Sequence, residues 1–434
     1  MGRLFGTDGV RGIANVELTP EMAFKLGRAS GILFNKGKLF IGRDTRISGK
    51  MLESAFSAGA MSAGASVYLL GVVPTPAVAK ITKKYRGDGG VVISASHNSY
   101  EFNGIKIFDR NGFKLPDSKE DELEAMMNGQ FDLSSETGEY VNVENAAEEY
   151  VRFLTYSMDV NFSGLKVGLD TANGAASFIA PEVFKRLGAE VHVISQEPDG
   201  RNINRDCGSL HPESLCELVK EKHLDVGFAF DGDADRLIAC DNEGSIIDGD
   251  LVLALTAQML KNENRLKDNR VIGTVMSNMG LELFFKNQGI AFERTAVGDR
   301  YVLERMLEGG LSLGGEQSGH VIFYPENTTG DGIYTALQLL RARVLLKRPL
   351  SDCRLFRPMP QVLINVKTDD KESYKRDQSI ISEIERIKAL LGDKGRVLIR
   401  PSGTEPLVRV MVEGENEKEI NGYAESIASM IKNR

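Results

Sequence analysis

The chain has 434 residues, of which 42% are hydrophobic and 26% are charged, a composition typical of globular proteins. This length exceeds what one hydrophobic core supports and predicts three or four domains of about 100–150 residues each. The net charge of −8 argues against a general electrostatic attraction to nucleic acid or to an anionic membrane surface.

The cysteines and the first residues bear on the compartment. The 4 cysteines form neither a CxxC pair nor a metal-finger spacing, so we expect reduced thiols. The opening stretch MGRLFGTDGV lacks the charged-then-apolar layout of a signal peptide. No stretch approaches the roughly 18 apolar residues of a membrane helix. We therefore expect a cytoplasmic protein.

Three stretches, beginning near residues 38, 165 and 270, share one pattern. Each is a short apolar strand, a polar turn and an amphipathic helix that ends at Gly64, Gly188 or Gly289 before another apolar strand. This spacing predicts three βαβ crossovers in largely parallel sheets, and a strand–loop–strand segment follows each of them.

The C-terminal stretch GRVLIRPSGTEPLVRVMVEG is a strand–loop–strand without such a crossover. We therefore predict three related mixed-sheet α/β/α domains followed by a smaller α+β C-terminal domain, with the active site in the central cleft. The predicted domains are 1–150, 151–250, 251–358 and 359–434.

The first strand–loop–strand contains SASHN, with Ser96 at the mouth of an apolar strand, His97 beside it and Lys106 after the turn. A serine hydroxyl near cationic groups can accept a phosphoryl group and return it. A serine in a turn can also be purely structural. A Ser-His-Asp hydrolase is not favoured, because SASHN is not a G-x-S-x-G elbow.

The second loop, DGDADR, places Asp231, Asp233 and Asp235 directly after an apolar strand. Such crowded carboxylates repel one another unless a cation lies among them, and oxygen-only ligation suits Mg²⁺. Arg236 can hold a phosphate oxygen. The alternative is a solvated acidic turn. A calcium EF-hand is excluded, because Arg236 stands where that loop needs glycine.

The third loop is GGEQSGH, in which Glu316, Ser318 and His320 alternate. In an extended segment these side chains would face one side together and suit the vicinal hydroxyls of a sugar. Taken alone, the motif is weak, and a plain turn is the more common explanation of such a stretch.

The fourth loop is RPSGTEPLVRV. Ser402, Gly403 and Thr404 could turn hydroxyls and successive N–H groups toward one anion, with Arg400 and Arg409 completing a phosphate cradle. The alternative is a hairpin turn with two surface arginines. No Walker or GxGxxG motif occurs, so nucleotide binding is not indicated.

Over essentially the whole chain, these four motifs resemble those of the α-D-phosphohexomutases, and the N-terminal FGTDGVRG is similar as well. The combination of GTDGVRG, GEQSGH and a short chain is most similar to the bacterial members that act on glucosamine phosphates. The sequence departs from the family pattern at Ser99, where proline usually follows the asparagine, and this puts the stiffness of the loop in doubt.

The resemblance implies a catalytic site and a metal site. Ser96 would be phosphorylated in the resting enzyme, with Arg11 brought toward it and His97 as a helper. A single Mg²⁺ would be bound by Asp231, Asp233, Asp235 and an oxygen on Ser96. Lys106 would accept the substrate's proton, with a pKa lowered by burial or by neighbouring cations.

The resemblance also implies a small phosphosugar substrate and an isomerase reaction. Glucosamine 6-phosphate and glucosamine 1-phosphate would interconvert through glucosamine 1,6-bisphosphate, which supplies amino-sugar nucleotide and cell-wall synthesis. We expect no nucleic-acid or membrane partner, and a homodimer. The residues expected to bind substrate are Arg236, Glu316, Ser318, His320, Arg400, Ser402, Gly403, Thr404 and Arg409.

Three alternatives stay open at this point. A phosphomannomutase/phosphoglucomutase of the same family would share every loop and differ in its preferred sugar. A metal-dependent phosphatase would release inorganic phosphate. A sugar-phosphate sensor would bind without exchanging phosphate, and it would not need Ser96, the aspartates and Lys106 together.

Overall fold

The computed structural model describes residues 4–6, 8–129, 135–368, 370–401 and 407–432. The chain divides into two compact units, Met1–Met276 with Ile290–Leu355 and Ser277–Gly289 with Phe356–Arg434. Within the described ranges, no helix has the length and apolar character needed to cross a membrane.

The strands of the described chain are β1 (Val10–Ile13), β2 (Lys38–Arg43), β3 (Ser66–Val72), β4 (Gly89–Ile93), β5 (Phe102–Asp109), β6 (Tyr140–Asn142), β7 (Lys166–Asp170), β8 (Glu190–Ile194), β9 (Val226–Phe230), β10 (Leu237–Asp241), β11 (Ile246–Ile247), β12 (Arg270–Thr274), β13 (Ala291–Thr295), β14 (Leu313–Gly315), β15 (Val321–Phe323), β16 (Gln361–Lys367), β17 (Gly395–Pro401) and β18 (Leu407–Gly414). The α-helices are α1 (Pro20–Leu33), α2 (Gly49–Ser62), α3 (Thr75–Lys84), α4 (Asp117–Met127), α5 (Ala146–Tyr156), α6 (Ile179–Arg186), α7 (Glu213–Lys222), α8 (Gly249–Asn262), α9 (Met279–Asn287), α10 (Asp299–Gly309), α11 (Gly332–Leu346), α12 (Gln378–Leu391) and α13 (Glu417–Lys432).

The first three sheets share one core topology. Their strand orders are β1-β5-β4-β2-β3-β6, β11-β10-β9-β7-β8 and β13-β12-β14-β15. In each sheet a central strand (β2, β7 or β12) pairs parallel with a neighbour on each side. The later of these neighbours (β4, β9 or β14) then pairs antiparallel with the strand that follows it (β5, β10 or β15). The predicted three related mixed-sheet domains are confirmed.

The turns predicted for the crossover helices are present. Gly64, Gly188 and Gly289 follow the ends of α2, α6 and α9 with φ of 93°, 92° and 61°, a left-handed region that glycine adopts without steric cost. Helix starts are capped by side chains: Asp248 accepts the N–H of Leu251 at α8, and Asp331 accepts that of Tyr334 at α11.

The repeat extends to the residues that follow the first strand of a crossover. Asp44-Thr45 follows β2, and Asp170-Thr171 ends and follows β7. In both places an aspartate oxygen accepts the backbone N–H two residues later, that of Arg46 or of Ala172, at 2.9 Å. Because parallel strands end at the same edge of a sheet, these turns lie beside the loops that leave β4 and β9.

The second unit is built around an antiparallel sheet in the order β16-β18-β17. Helices α12 and α13 bury Ile380, Ile387 and Ile427 against Val408 and Val410 of β18. The predicted smaller α+β domain is confirmed. Helix α9 belongs to this unit, where the buried carboxylate of Glu413 accepts the N–H of Met279 at 3.2 Å.

Candidate active site

Ser96 lies in the loop between β4 and β5, and its side chain reaches the loop between β9 and β10. Its hydroxyl donates to Oδ2 of Asp231 at 2.6 Å, and Nδ1 of His97 lies 3.2 Å from the Ser96 hydroxyl oxygen. The residue is 1% exposed and has a φ of 52°, which is unusual for a non-glycine residue. The structure therefore brings the predicted nucleophile and the predicted metal loop together.

Asp231, Asp233 and Asp235 form the buried acidic cluster that the sequence predicted. One carboxylate oxygen of each lies within 4.8 Å of the others. Burial, together with the charges of Asp235 and Asp233, raises the pKa of Asp231 well above its usual value. Oδ1 of Asp233 accepts no hydrogen bond from the described residues, while Oδ2 accepts one from the hydroxyl of Thr75 at 2.6 Å. Crowded, under-satisfied oxygens of this kind fit a hard divalent cation.

Lys106 is surrounded by carboxylates, which contradicts the lowered pKa that we expected. Its Nζ lies 2.8 Å from Asp233, 3.0 Å from Asp8 and 3.6 Å from Asp235. Burial alone would lower the pKa of Lys106, but these charges outweigh it and raise the pKa above its ordinary value. The expected cationic neighbours are outnumbered, so Lys106 is an ammonium group in this arrangement.

A partly buried chain of charged and polar side chains continues from Lys106 and was missed by the sequence analysis. Asp8 contacts Nζ of Lys114, and the same Nζ lies 2.5 Å from Asp299. Nε2 of His320 lies 3.4 Å from Asp299, and Nδ1 lies 3.7 Å from Asp235. The chain links residues near the β1, β5, β9 and β15 ends. Asp8, Asp235 and His320 stand in the motifs named above, but Lys114 and Asp299 lie in none of them.

The ionised state of this chain follows from its own charges. Burial would raise the pKa of Asp8, but Lys106, Lys114 and Arg11 hold it well below its usual range. Burial would lower the pKa of Lys114, and Asp299 and Asp8 raise it. Burial would lower the pKa of His320, and Asp235 and Asp299 raise it. The backbone N–H of Gly330 donates to Nε2 of His320 at 3.0 Å, so Nε2 is an acceptor and the ring proton lies on Nδ1, toward Asp235.

His97 differs from His320 in its surroundings. Burial and the positive charges of Arg236 and Arg11 lower the pKa of His97 to about 4. The imidazole is therefore neutral at neutral pH and can accept or donate a hydrogen bond beside Ser96.

Arg11 and Arg236 flank the serine loop and the acidic cluster. Nη1 of Arg11 lies 3.3 Å from Oδ1 of Asn98, and its other terminal nitrogen contacts Asp8. The backbone N–H of Arg236 donates to Asp231 at 3.1 Å, and its guanidinium lies 3.9 Å from Asp235. The guanidinium groups thus lie next to the predicted nucleophile loop and the predicted metal loop.

The third loop is a turn, and the extended geometry that we used to group its residues is wrong. The N–H of Gly319 donates to the carbonyl of Glu316 at 3.0 Å, and Gly319 has a φ of 90°. As a result Ser318 is exposed, whereas His320 is buried. Glu316 is half-buried, and its carboxylate accepts the N–H of Gly298 at 3.1 Å.

The fourth loop is described only at its edges. Arg400 and Arg409 are directly opposite each other on β17 and β18, so two guanidinium groups share one face of the sheet. Ser402, Gly403 and Thr404 lie outside the described residues.

Four family models match the chain in succession. The phosphoglucomutase/phosphomannomutase α/β/α domains I, II and III match residues 2–132, 148–244 and 248–357, and the C-terminal domain of the same family matches residues 363–430.

Similar proteins cover the chain from end to end. A protein of Clostridium novyi named phosphoglucosamine mutase is 50% identical over 446 residues, which span 100% of this chain and 99% of that protein. The crystal structure of a phosphoglucomutase/phosphomannomutase family protein from Burkholderia thailandensis has a TM-score of 0.85 and 25% identity, over 99% of this chain and 97% of the other. The fold is also that of an N-acetylphosphoglucosamine mutase from Aspergillus fumigatus solved with GlcNAc-6P and magnesium, with a TM-score of 0.70 and 16% identity over 99% and 95% of the two chains.

Proposed function

The chain belongs to the phosphoglucomutase/phosphomannomutase family, an isomerase family, and we propose that it interconverts glucosamine 6-phosphate and glucosamine 1-phosphate. The observation that carries the chemistry is the contact between Ser96 Oγ and Asp231 at 2.6 Å, which joins a serine nucleophile to a buried acidic cluster. The glucosamine substrate is supported by the name of the relative that is 50% identical along its length.

Phosphoryl transfer would proceed in two successive steps. In the first, the bond between phosphorus and Ser96 Oγ breaks as the 1-oxygen of glucosamine 6-phosphate bonds to the same phosphorus. The sugar hydroxyl loses a proton and Ser96 gains one, leaving glucosamine 1,6-bisphosphate. After the bisphosphate reorients in the site, the bond between the second phosphorus and the 6-oxygen breaks as Ser96 Oγ bonds to that phosphorus. Ser96 loses its proton, the 6-oxygen gains one, and glucosamine 1-phosphate departs.

The residues beside Ser96 have distinct proposed roles. Lys106, as the ammonium group that its three carboxylate neighbours favour, would stabilise charge on the transferring phosphoryl group and supply a proton to the departing oxygen. His97 would orient the serine hydroxyl through Nδ1. Arg11, which contacts Asn98 in the same loop, would hold a phosphoryl oxygen.

Asp231, Asp233 and Asp235 would hold one Mg²⁺ together with an oxygen on Ser96. When bound, the cation supplies electrophilic stabilisation of the phosphoryl oxygens. The fit rests on the donor set, because three buried carboxylates within 4.8 Å, with a raised pKa at Asp231, are an arrangement that a divalent cation relieves.

The substrate-binding residues predicted from the sequence remain proposals. Glu316, Ser318 and His320 would contact the sugar, and Arg236 would contact a phosphate. Arg400, Ser402, Gly403, Thr404 and Arg409 would hold the phosphate at the far end, a proposal supported by the cross-strand pairing of the two arginines. A homodimer, a cytoplasmic location and the four domain limits given above also remain proposals.

The runner-up is a phosphomannomutase/phosphoglucomutase, supported by the Burkholderia structure, and one experiment separates the two. Phosphorus NMR would follow the purified enzyme with Mg²⁺, a trace of sugar bisphosphate, and equal glucosamine 6-phosphate and glucose 6-phosphate. We expect glucosamine 1-phosphate to form much faster than glucose 1-phosphate. Dominant glucose 1-phosphate would favour the runner-up, and inorganic phosphate alone would contradict a mutase.

A further inference from the structure

The buried guanidinium group of Arg46 donates hydrogen bonds to backbone carbonyls along the Ser96 loop. Nη2 donates to the carbonyls of Ser96 at 3.0 Å and Asn98 at 2.7 Å. Nη1 donates to the carbonyl of Phe102 at 3.0 Å and also contacts that of Ser99. Arg46 is 1% exposed, so these bonds are made out of contact with water. Four carbonyl dipoles pointing at one place are stable only around a donor of this kind.

The same arginine is also linked to the backbone N–H of Ser96, through Asp44 and Ser94. Nε of Arg46 donates to Oδ2 of Asp44 at 2.8 Å, and the hydroxyl of Ser94 donates to that oxygen at 2.6 Å. The hydroxyl oxygen of Ser94 in turn accepts the N–H of Ser96 at 2.9 Å. The backbone of Ser96 is therefore held on both sides, at its N–H and at its carbonyl, in its left-handed conformation.

A second donor reaches the loop from the region of the second sheet. Nδ2 of Asn204 donates to the carbonyls of Ser96 at 2.8 Å and Asn98 at 2.9 Å. The backbone N–H of Asn204 is bonded to the carbonyl of Ala172, in the turn that follows β7. The serine loop is thus positioned against the part of the molecule that carries the acidic cluster.

The internal repeat shows that the turn itself does not need arginine. Asp44-Thr45-Arg46 corresponds to Asp170-Thr171-Ala172, and both aspartates bind the N–H two residues later at 2.9 Å. Alanine is sufficient in the second sheet, where the neighbouring loop carries aspartates. Arginine is present in the sheet whose neighbouring loop carries the serine.

We propose that Arg46 is a positioning residue that fixes the backbone of the Ser96 loop, so that the phosphorylated serine points at the acidic cluster and transfers its phosphoryl group to sugar in preference to water. This inference rests on the proposed role of Ser96. It also explains how the loop keeps its shape with Ser99 where the family usually has proline, because the carbonyls on both sides of that position are bound.

The test is Arg46→Lys, which keeps the charge but cannot reach four separated carbonyls. We expect kcat to fall by about 100-fold, the loss that a small misplacement of a reacting group produces. KM should change by less than about threefold, because substrate binding is not altered. Phosphate released to water per product formed should rise. The matched control is Arg341→Lys. Arg341 is another buried arginine, bonded to Asp159 at 2.7 Å and 2.9 Å, and its substitution should leave kcat and the phosphate released per product unchanged.

An Arg46→Lys enzyme that is folded and has wild-type kcat and phosphate release would overturn the inference. If that variant does not fold, Asn204→Gly decides, since it removes the two side-chain bonds to the loop and tolerates the backbone φ of 57° at that position. A reduced kcat with unchanged KM would support the inference, and wild-type kinetics would overturn it. Ser96→Ala separates a failure of the proposed function from a failure of this inference. An active Ser96→Ala enzyme contradicts the proposed function. An inactive Ser96→Ala enzyme, together with an Arg46→Lys enzyme that behaves like the wild type, contradicts only the role of Arg46.

Discussion

The hydroxyl of Ser96 donates to the carboxylate of Asp231 at 2.6 Å across 135 positions of sequence. Ser96 follows β4 and Asp231 follows β9, which occupy equivalent positions in the first and second sheets. The repeated topology therefore places both residues at corresponding strand ends. A phosphoryl group on Ser96 would therefore begin its transfer next to the acidic cluster.

Ser96→Ala tests the nucleophile. The substitution removes one buried hydroxyl and should leave the fold intact, while kcat falls by at least about 1000-fold, because no other group replaces a covalent carrier. Coupled assay of glucosamine 1-phosphate formation and intact-protein mass would measure turnover and phosphorylation. Ser157→Ala is the control, since the hydroxyl of Ser157 bonds only its own helix at Leu154 among the described residues. Substantial turnover by Ser96→Ala would contradict the nucleophile assignment.

Asp231→Asn tests the cation site by thermal denaturation, without relying on activity. Because burial and the neighbouring carboxylates raise the pKa of Asp231, removing its charge should not lower the melting temperature in EDTA. Mg²⁺ should stabilise the wild-type protein, by about 2.7 kcal/mol at one hundred times its Kd, and should stabilise the variant much less. Equal stabilisation of the two proteins by Mg²⁺ would show that the cation binds elsewhere.

The sequence predicted the parts of this molecule that depend on local pattern. The βαβ crossovers, the helix-ending glycines at Gly64, Gly188 and Gly289, and the acidic cluster follow from periodicity and from residues within a few positions of one another. Long-range pairing was not accessible in this way. Lys106 was expected to have a lowered pKa, because the sequence does not reveal that Asp8 lies 3.0 Å from it.

Two other features could have been anticipated only in part. Asp44 and Arg46 follow β2, which is parallel to β4, so their presence at the edge carrying Ser96 follows from the predicted topology. The turn at Gly319 overrode the alternation expected for Glu316, Ser318 and His320, and the Ser-Gly dipeptide at Ser318 and Gly319 was the available signal.

Lys114→Met tests the partly buried chain of charges. The substitution would leave the half-buried carboxylates of Asp8 and Asp299 with one cation fewer, which should destabilise the fold by about 1–3 kcal/mol. Urea denaturation measures this change. Lys119→Met is the control: Lys119 is an exposed partner of Glu122 at 2.7 Å, and a surface pair contributes at most about 1 kcal/mol. Equal effects of the two substitutions would mean that the chain contributes little to stability.

Arg409→Ala tests the proposed phosphate cradle in the second unit. Loss of a guanidinium bond to phosphate, worth about 1.5–3 kcal/mol, should raise KM for glucosamine 6-phosphate by about 10-fold to 100-fold. Steady-state kinetics would measure this effect. Arg386→Ala is the control within the same unit, because Arg386 pairs with Glu383 on the exposed face of α12. An unchanged KM in Arg409→Ala would remove Arg409 from the substrate site.

Asp331→Asn tests a pH dependence that originates away from the acidic cluster. Asp331 caps α11 and is completely buried, and burial raises its pKa to about 6 against the opposing effects of Tyr334 N–H, Tyr150 and Lys80. A carboxyl group with a raised pKa binds a proton more readily in the folded state. Its contribution to stability is therefore fully present below about pH 4 and is lost as the pH rises to about 6.

Asparagine keeps the cap but cannot ionise, so the variant lacks that loss. We expect Asp331→Asn to gain stability relative to the wild type between about pH 4 and pH 6, by about 3 kcal/mol for a shift of about two pKa units, and to keep that gain at higher pH. Urea denaturation in EDTA at several pH values measures the difference. Asp377→Asn makes the same exchange at the cap of α12, where the aspartate is only partly buried, and controls for the change of side chain. A stability difference between Asp331→Asn and the wild type that does not vary with pH would mean that Asp331 ionises as readily in the folded chain as in the unfolded one.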